Sequence, residues 1–309
     1  MSCRPLGLPI GRAAGLRYIR EVSRAARLWD RISEGYFRPV AAPPKIPHPA
    51  KWRDDRLTLA WLGHSTLLVN LYGLWLITDP ALLMRVGVRA GVVTLGPKRL
   101  VAPALRTRQL PPLDFILLTH AHMDHFDLGT LRRLSRRATV ITAKSTADLL
   151  PRRFRDVVEL TWGESQTFHR PRGTLKVEAI RVRHWGARIR TDTHRGFNGY
   201  VVERNGRRLF LAGDTARTDM RSVGRKAPID VMAVPIGAYD PWIMSHCSPE
   251  EAVAMANEAR ARYVVPIHHQ TFRLGREPMD EPIRRFRKAL DPDRVALSEV
   301  GETFVVPSG

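Results

Sequence analysis

The chain has 309 residues, 44% of them hydrophobic, and its 50 basic and 30 acidic side chains give a formal net charge of +20. This length can bury a full core in one large domain or two smaller ones. No apolar stretch approaches the roughly 20 residues that span a bilayer. The N-terminus lacks a secretory signal, and Cys3 and Cys247 are too far apart in sequence to indicate a disulfide framework. We therefore expect a cytoplasmic protein, with a peripheral position at the inner membrane surface left open.

The positive charge is spread along the whole chain and comes mostly from arginine. It favours an anionic partner, such as a phospholipid surface or a small anionic substrate, without naming one. A general bias of the genome towards arginine explains the composition equally well. No nucleic-acid module is visible and aromatic residues are not interleaved with the basic ones, which argues against a nucleic-acid partner.

Residues 1–50 are predicted to form a region of their own, ahead of a catalytic domain at 51–309. Apolar residues fall near helical spacing between arginines over residues 12–37, which predicts a basic amphipathic helix. The proline-rich stretch that follows, Pro39–Pro49, predicts an extended connector. We favour a helix that packs on the rest of the chain over one that lies on a membrane surface.

From Leu57 onward, short strands, loops and helices are predicted to alternate. A three-stranded meander with a turn at Tyr72-Gly73 precedes a long irregular connection at residues 80–112. Strands are predicted at 57–62, 66–71, 74–78, 114–119, 138–142, 174–182, 200–204, 208–212, 230–234 and 263–266, and helices at 128–137, 248–261 and 281–290. Ser248 and Glu251 form a capping box for the second helix. This order favours an α/β fold of two mixed sheets packed face to face with helices outside.

The stretch His-Ala-His-Met-Asp-His at 120–125 directly follows the apolar run at 114–119. Because a strand alternates its side chains, His120 and His122 project to one side and can bind one metal ion, while the next turn can bring Asp124 and His125 to a second. Imidazole and carboxylate suit Zn²⁺, with Mn²⁺ or iron as alternatives. A solvated histidine-rich turn would not require this strand, spacing and mixture of ligand types together. The sequence therefore predicts a two-metal hydrolytic site.

Further ligand candidates lie where other predicted strands end. His184 follows the strand at 174–182, and Asp214 follows an apolar strand and Gly213, whose missing Cβ lets the backbone turn sharply. His268 and His269 both follow the strand that ends near residue 267. Any one of these alone would more often be a core or capping residue. Together with the 120–125 motif they complete a ligand set.

In order and spacing, these residues resemble the metallo-β-lactamase fold superfamily from about Leu57 to the C-terminus: THAHMDH, then RHW, AGDT and PIHH. Other stretches are similar to the N-acylphosphatidylethanolamine-hydrolysing phospholipase D group: WLGHST at 61–66, TDP at 78–80, GPKR at 96–99, LPPLD at 110–114, IGAYDP at 236–241 and PEEAV at 249–253. Related lactonases of the ascorbate-6-phosphate type share the Gly-His-Ser/Thr and Thr-Asp-Pro stretches.

The resemblance implies a four-layer αβ/βα sandwich and a specific distribution of ligands over two divalent ions. His120, His122 and His184 would hold one ion, Asp124, His125 and His268 the other, and Asp214 would bridge both. His268 is preferred to His269 because the family's histidine directly follows the apolar strand.

The leading functional hypothesis is a phosphodiesterase that acts on a phospholipid headgroup and releases phosphatidic acid and an N-acylethanolamine-like alcohol. A hydroxide held between the ions would attack the phosphorus. Asp124 could act as acid or base besides being a ligand. His64 and His246 are candidates for contacts with the substrate or the ligands, although His64 could merely orient a loop and His246 cap a helix.

Three arginines after the third histidine segment are candidates for a phosphate contact or could simply be solvated: Arg188, Arg190 and Arg195. A lactonase for a phosphorylated or acidic substrate is the main alternative function. A nuclease and a non-catalytic binding protein are less favoured, and a homo-oligomer is left open.

Overall fold

The computed structural model describes residues 38–91, 93–189 and 191–308. The predicted helix at 12–37 and Arg190 lie outside the described residues. The chain from Val40 onward forms one compact unit. Residues 40–49 of the proline-rich stretch belong to this unit, in which Ala41 N donates to Leu100 O and Lys45 Nζ pairs with Glu302. The predicted division of the chain at residue 50 stays a prediction. None of the described helices combines the length and the apolar character needed to cross a membrane.

The strands of the described residues are β1 (Leu57–Gly63), β2 (Thr66–Leu71), β3 (Leu74–Thr78), β4 (Val88–Ala90), β5 (Val93–Leu95), β6 (Phe115–Leu118), β7 (Thr139–Ala143), β8 (Val157–Leu160), β9 (Ser165–Arg170), β10 (Gly173–Ile180), β11 (Gly199–Arg204), β12 (Arg207–Leu211), β13 (Ile229–Pro235), β14 (Ala261–Ile267) and β15 (Thr303–Val305). The helices are α1 (Leu128–Leu131), α2 (Arg221–Lys226), α3 (Tyr239–Trp242), α4 (Pro249–Glu258) and α5 (Glu281–Ala289), with 3-10 turns at Pro49–Lys51, Thr107–Gln109, Ala147–Leu149 and Pro292–Arg294.

Two mixed sheets carry the fold. The first has the order β15-β1-β2-β3-β6-β7-β8, antiparallel up to β3 and parallel from β3 to β8. The second has the order β14-β13-β12-β11-β10-β9, with β12, β13 and β14 parallel and the others antiparallel. The carboxyl ends of parallel strands meet at one edge of a sheet, so each sheet brings the loops after its parallel strands together.

The two sheets pack face to face, as β13 illustrates. Successive side chains of a strand point to opposite faces, so the apolar residues of β13 contribute alternately to a core on each side. Val231 and Ala233 join the core between the sheets, which also contains Leu59 and Leu76 of the first sheet. Met232 and Val234 point the other way, into a second core with residues of α4 and α5. A strand with both faces covered must be apolar throughout. The α/β sandwich of two mixed sheets that the sequence predicts is the observed architecture.

The predicted helix at 128–137 is wrong beyond Leu131. The Asp127 carboxylate caps its first turn by accepting from the N–H groups of Gly129 and Thr130. Helix geometry would then stack arginines at i,i+4 (132 with 136, and 133 with 137), and like charges at that spacing destabilise a helix. The predicted helix at 248–261 ends at Glu258, because Ala261 already begins β14. Its capping box of Ser248 and Glu251 is confirmed. The strands β4, β5, β8, β9 and β15 are not among the predicted ones.

Candidate metal centre

The predicted site residues lie together at one edge of the sandwich. Residues 120–125 follow β6, and His184 lies after β10. Asp214 follows β12, and His268 follows β14. The β1–β2 turn contributes His64. The backbone is left-handed at His64 (φ 55°), at His268 (62°) and at Gly213 (62°), directly before Asp214. The chain therefore bends sharply where the side chains of His64, Asp214 and His268 enter the site. Non-glycine residues in this region are strained and cluster at functional sites.

Three imidazoles form the first ligand group. His122 Nδ1 lies 2.9 Å from His120 Nε2 and 3.2 Å from His184 Nε2. His184 Nδ1 donates to Ser245 O, which can only accept, so the Nε2 atom of the neutral ring bears a lone pair. His120 is oriented in the same way, because its Nδ1 lies 2.9 Å from Thr119 Oγ1. Lone pairs that converge on one point repel each other, and a cation at that point removes the repulsion.

The second group combines carboxylates and imidazoles. Asp124 Oδ2 lies 3.6 Å from His125 Nε2 and 3.5 Å from His268 Nε2. Asp214 Oδ2 is 3.1 Å from each of these nitrogens and 4.0 Å from His120 Nε2 of the first group. Asp214 therefore stands between the two groups.

The donor atoms fit divalent ions. Two metal–ligand bonds of about 2.0–2.1 Å at a tetrahedral angle separate the ligand atoms by about 3.3 Å, and the separations in the second group span this value. His125 Nε2, His268 Nε2 and Asp214 Oδ1 are buried and have no hydrogen-bond partner. Buried polar atoms are rarely left in this state. Metal coordination would satisfy all three.

Electrostatics favours the same occupant. Burial alone would raise the pKa of Asp124 and Asp214, but the neighbouring imidazoles, His125 first, hold both pKa values well below the usual range. Burial lowers the pKa of His184 to about 3 and that of His246 to about 4. Asp214 and Asp124 outweigh burial at the two imidazoles between them, raising the pKa of His125 well above its usual value and that of His268 to about 9. Divalent ions bind ionised carboxylates and neutral imidazoles, so an ion in the second group would take the place of the protons that these two histidines attract.

His64 and His246, the histidines proposed to contact the substrate or the ligands, both reach the cluster. His64 Nε2 donates to Asp124 Oδ2 at 2.9 Å, and its ring lies 4.3 Å from that of His268. His246 Nδ1 lies 3.9 Å from Asp214 Oδ2 and has no hydrogen-bond partner. The alternative in which His246 caps α4 is wrong, since Ser248 fills that position.

Asp79 joins the candidate centre, and the sequence reasoning did not single it out. Its Oδ2 accepts from His125 Nδ1 at 2.9 Å and from Thr119 Oγ1 at 2.7 Å, and its Oδ1 accepts from Thr119 N. Because Thr119 Oγ1 in turn contacts His120 Nδ1, one carboxylate orients an imidazole in each ligand group. The signal was present in the Thr-Asp-Pro stretch directly after the predicted third strand.

Other candidates lie apart from the cluster. His269 stacks on Trp61 with 4.7 Å between the ring centroids, whereas His268 joins the second group. Arg195 forms ion pairs with Asp148 and Asp192, and both nitrogens of its fork are used within the protein. Its predicted phosphate contact is therefore wrong. Arg188 donates to two backbone carbonyl groups, those of residues 121 and 126.

A family model described as the Beta-lactamase superfamily domain matches residues 75–269. The chain belongs to the metallo-β-lactamase superfamily. It is 34% identical over 257 residues to N-acyl-phosphatidylethanolamine-hydrolyzing phospholipase D 1 of Caenorhabditis elegans. That match covers 77% of this chain and 71% of the relative. It is 29% identical over 251 residues to a UPF0173 metal-dependent hydrolase of Caldivirga maquilingensis, over 81% of this chain and 98% of the relative.

Solved structures agree on the fold. The metallo hydrolase Igni18 of Ignicoccus hospitalis superposes with a TM-score of 0.61 at 20% identity, over 82% of this chain and 99% of that one. An isothiocyanate hydrolase from Delia radicum gut bacteria gives 0.62 at 18% identity, over 81% and 99%. With its superfamily membership and hydrolase relatives, this chain is a metal-dependent hydrolase.

Proposed function

We propose that this metallo-β-lactamase superfamily member is a phosphodiesterase with two divalent metal ions that acts on an N-acylphosphatidylethanolamine-like phospholipid. The observation that carries the proposal is the pair of ligand groups that converge on Asp214. The substrate class is supported by the 34% identity to a phospholipase D named for that lipid.

In this proposal each ligand group holds one ion. His120, His122 and His184 would bind the first, Asp124, His125 and His268 the second, and Asp214 both. The ligand set is made of imidazole and carboxylate without thiolate, which favours Zn²⁺ and accommodates Mn²⁺ or iron. Bound divalent ions lower the pKa of water and polarise a phosphoryl oxygen.

The chain's own residues orient the reactants. Asp124 Oδ2 accepts a hydrogen bond from His64 Nε2, which fixes the carboxylate and helps to hold its pKa low, so Asp124 would pass a proton from the attacking water onward without keeping it. His246, whose pKa near 4 keeps it neutral at pH 7, has a free Nδ1 at the cluster and would contact the phosphate group of the substrate. The water oxygen bonds to phosphorus and the bond from phosphorus to the ethanolamine oxygen breaks. The water's proton goes to the departing alkoxide, so phosphatidic acid and an N-acylethanolamine leave.

A lactonase for a phosphorylated or acidic substrate is the second candidate. The two stretches that this chain shares with such lactonases, at 63–66 and 78–80, supply His64 and Asp79 to the centre. Because both activities would use these residues, the site geometry does not separate them, and the substrate must.

The test combines metal analysis with a substrate panel. Purified protein should contain two equivalents of transition metal and release phosphatidic acid from N-acylphosphatidylethanolamine. Asp124→Asn should abolish that release, and Asp156→Asn, a change of the same chemistry on an exposed residue outside the centre, should leave it intact. Opening of a lactone without phosphodiester turnover would replace the proposal by the second candidate. A single equivalent of metal would refute the two-metal centre.

A further inference from the structure

Large apolar side chains lie exposed on the two segments that carry His184 and His246. We call these five residues the apolar rim: Trp185 (51% exposed), Ile189 (55%), Trp242 (55%), Ile243 (44%) and Met244 (68%). Burying side chains of this size would ordinarily stabilise a folded chain, so a contiguous exposed group marks a surface that binds something apolar.

Hydrogen bonds and ring contacts join the two segments at the mouth of the metal centre. His184 Nδ1 donates to Ser245 O at 2.8 Å, and the N–H groups of Ser245 and His246 both donate to Trp242 O. The Trp185 ring lies 4.8 Å from the ring of His122. Both segments of the apolar rim are therefore tied to the cluster of imidazoles, one by the ring contact of Trp185 and the other through the backbone of Ser245 and His246.

The β4–β5 hairpin adds to the same end of the molecule. It belongs to the connection that leaves the carboxyl end of β3 just after Asp79, a residue of the centre. Met84, Val88 and Leu95 in this connection are 44%, 54% and 54% exposed. With Trp162 in the loop after β8, nine of the eleven exposed large apolar side chains of the described residues thus lie on connections that leave the metal-centre end of the sandwich.

Charge at this end selects the partner. Arg183, next to His184, and Arg276, whose N–H donates to Asp240 O, are exposed and form no ion pair with a described carboxylate. A second copy of this chain would bring like charges together, given the net charge of +20. An anionic bilayer offers both an apolar interior for the rim and negative headgroups for the arginines, and tryptophan favours the boundary between the two.

We propose that the apolar rim docks on an anionic phospholipid bilayer and holds the metal centre against the lipid surface. For the identity of the substrate, this inference rests on the proposed function. The membrane contact is then made at residues 185–189 and 242–244, independently of any part that the predicted N-terminal helix plays.

The experiment is co-sedimentation of the full chain with large unilamellar vesicles of phosphatidylcholine, with and without 30 mol% (about a third) of phosphatidylglycerol. The rim variant carries Trp242→Ser and Met244→Ser. The matched control carries Ile46→Ser and Val305→Ser, which are 56% and 43% exposed and lie on the connector and on β15, away from the rim. Circular dichroism and metal content confirm that each variant is folded.

The rim variant should bind anionic vesicles at least about tenfold more weakly than wild type, since burying one large apolar side chain supplies about 1.4 kcal/mol or more. The control should stay within about twofold, and neutral vesicles should bind wild type more weakly than anionic ones. Equal binding by wild type and the rim variant, or equal losses in the rim variant and the control, would overturn the proposal.

Turnover of a short-chain, monomeric N-acyl phosphodiester by wild type tests the proposed function separately. Binding that depends on the rim, without any phosphodiester turnover, would sink the proposed function and leave the docking surface standing. Turnover without rim-dependent binding would support the proposed function and overturn the docking surface.

Discussion

Asp79→Asn is the substitution that most directly tests how the metal centre is oriented. The carboxylate accepts three hydrogen bonds, from Thr119 N, Thr119 Oγ1 and His125 Nδ1. An asparagine can keep the first, but its NH₂ group would face two donors. His125 can then relieve the clash only by moving its hydrogen to Nε2, which removes the lone pair directed at Asp124 and Asp214.

The expected loss of metal affinity follows from the role of residues that hydrogen-bond to a metal-binding histidine. Removing the partner of a metal-bound imidazole lowers metal affinity about 10- to 100-fold, or about 1.4–2.8 kcal/mol. Because Asp79 also orients His120 through Thr119, we expect both of the proposed ions to bind more weakly. Metal content after dialysis against chelator-buffered Zn²⁺, measured by mass spectrometry, gives both affinities.

Asp114→Asn is the matched control. The Asp114 carboxylate accepts from the Trp75 backbone N–H at 2.8 Å, at the opposite end of β6 from the metal centre. This variant should retain the metal affinity of wild type. The reasoning is refuted if Asp79→Asn holds two ions as tightly as wild type, or if Asp114→Asn loses as much affinity.

Three further changes test other parts of the structure. Gly213→Ala would place the new Cβ 2.8 Å from Thr119 Cβ, at a residue with φ 62°. Urea unfolding should show that the free energy of unfolding falls by about 2–4 kcal/mol. The control Gly206→Ala, at φ 72° with open space around the new Cβ, should lower it by only about 1–2 kcal/mol. Burial lowers the pKa of His269 to about 3, so the folded state resists a proton that the unfolded state takes up near pH 6.5. Stability from this group is present above pH 6.5 and lost towards pH 3, and His269→Phe should remove up to about 1.4 kcal/mol per pH unit from the acid slope of unfolding free energy. An unchanged slope would contradict that assignment. Chelation should lower the unfolding temperature, with recovery on adding Zn²⁺ or Mn²⁺, because ligands of the native state stabilise by mass action; a melting curve insensitive to chelator would count against the centre.

Local sequence signals predicted the strands on which the centre depends. The meander β1–β3, the strand β6 and the strands β11–β14 are where apolar runs predict them, within a few residues. Short runs bounded by turn residues carry that information without reference to the rest of the chain. The strands β8 and β9 were missed because their sequences are polar or mixed, and partners in the sheet, not their own residues, hold them extended.

The contacts between distant segments were beyond local reasoning. His64 and Asp124 are 60 positions apart, and no spacing rule reports that Nε2 of one meets Oδ2 of the other. Asp79 reads as an ordinary turn residue before a proline until the fold places it beneath His125. Conversely, Arg195 looked free in the sequence, and only the structure shows that Asp148 and Asp192 occupy it.

The segments of the centre leave the ribosome in a fixed order, and His268 is the last. A nascent chain that has released residues 64 to 214 lacks the nitrogen that faces Asp214 Oδ2 at 3.1 Å. It also lacks β14, which must pair with β13 before that nitrogen can be placed. The proposed second ion therefore cannot be captured during most of translation. Loading of this proposed ion would then be one of the final events in the protein's maturation, and chains truncated before β14 would lack one of its ligands.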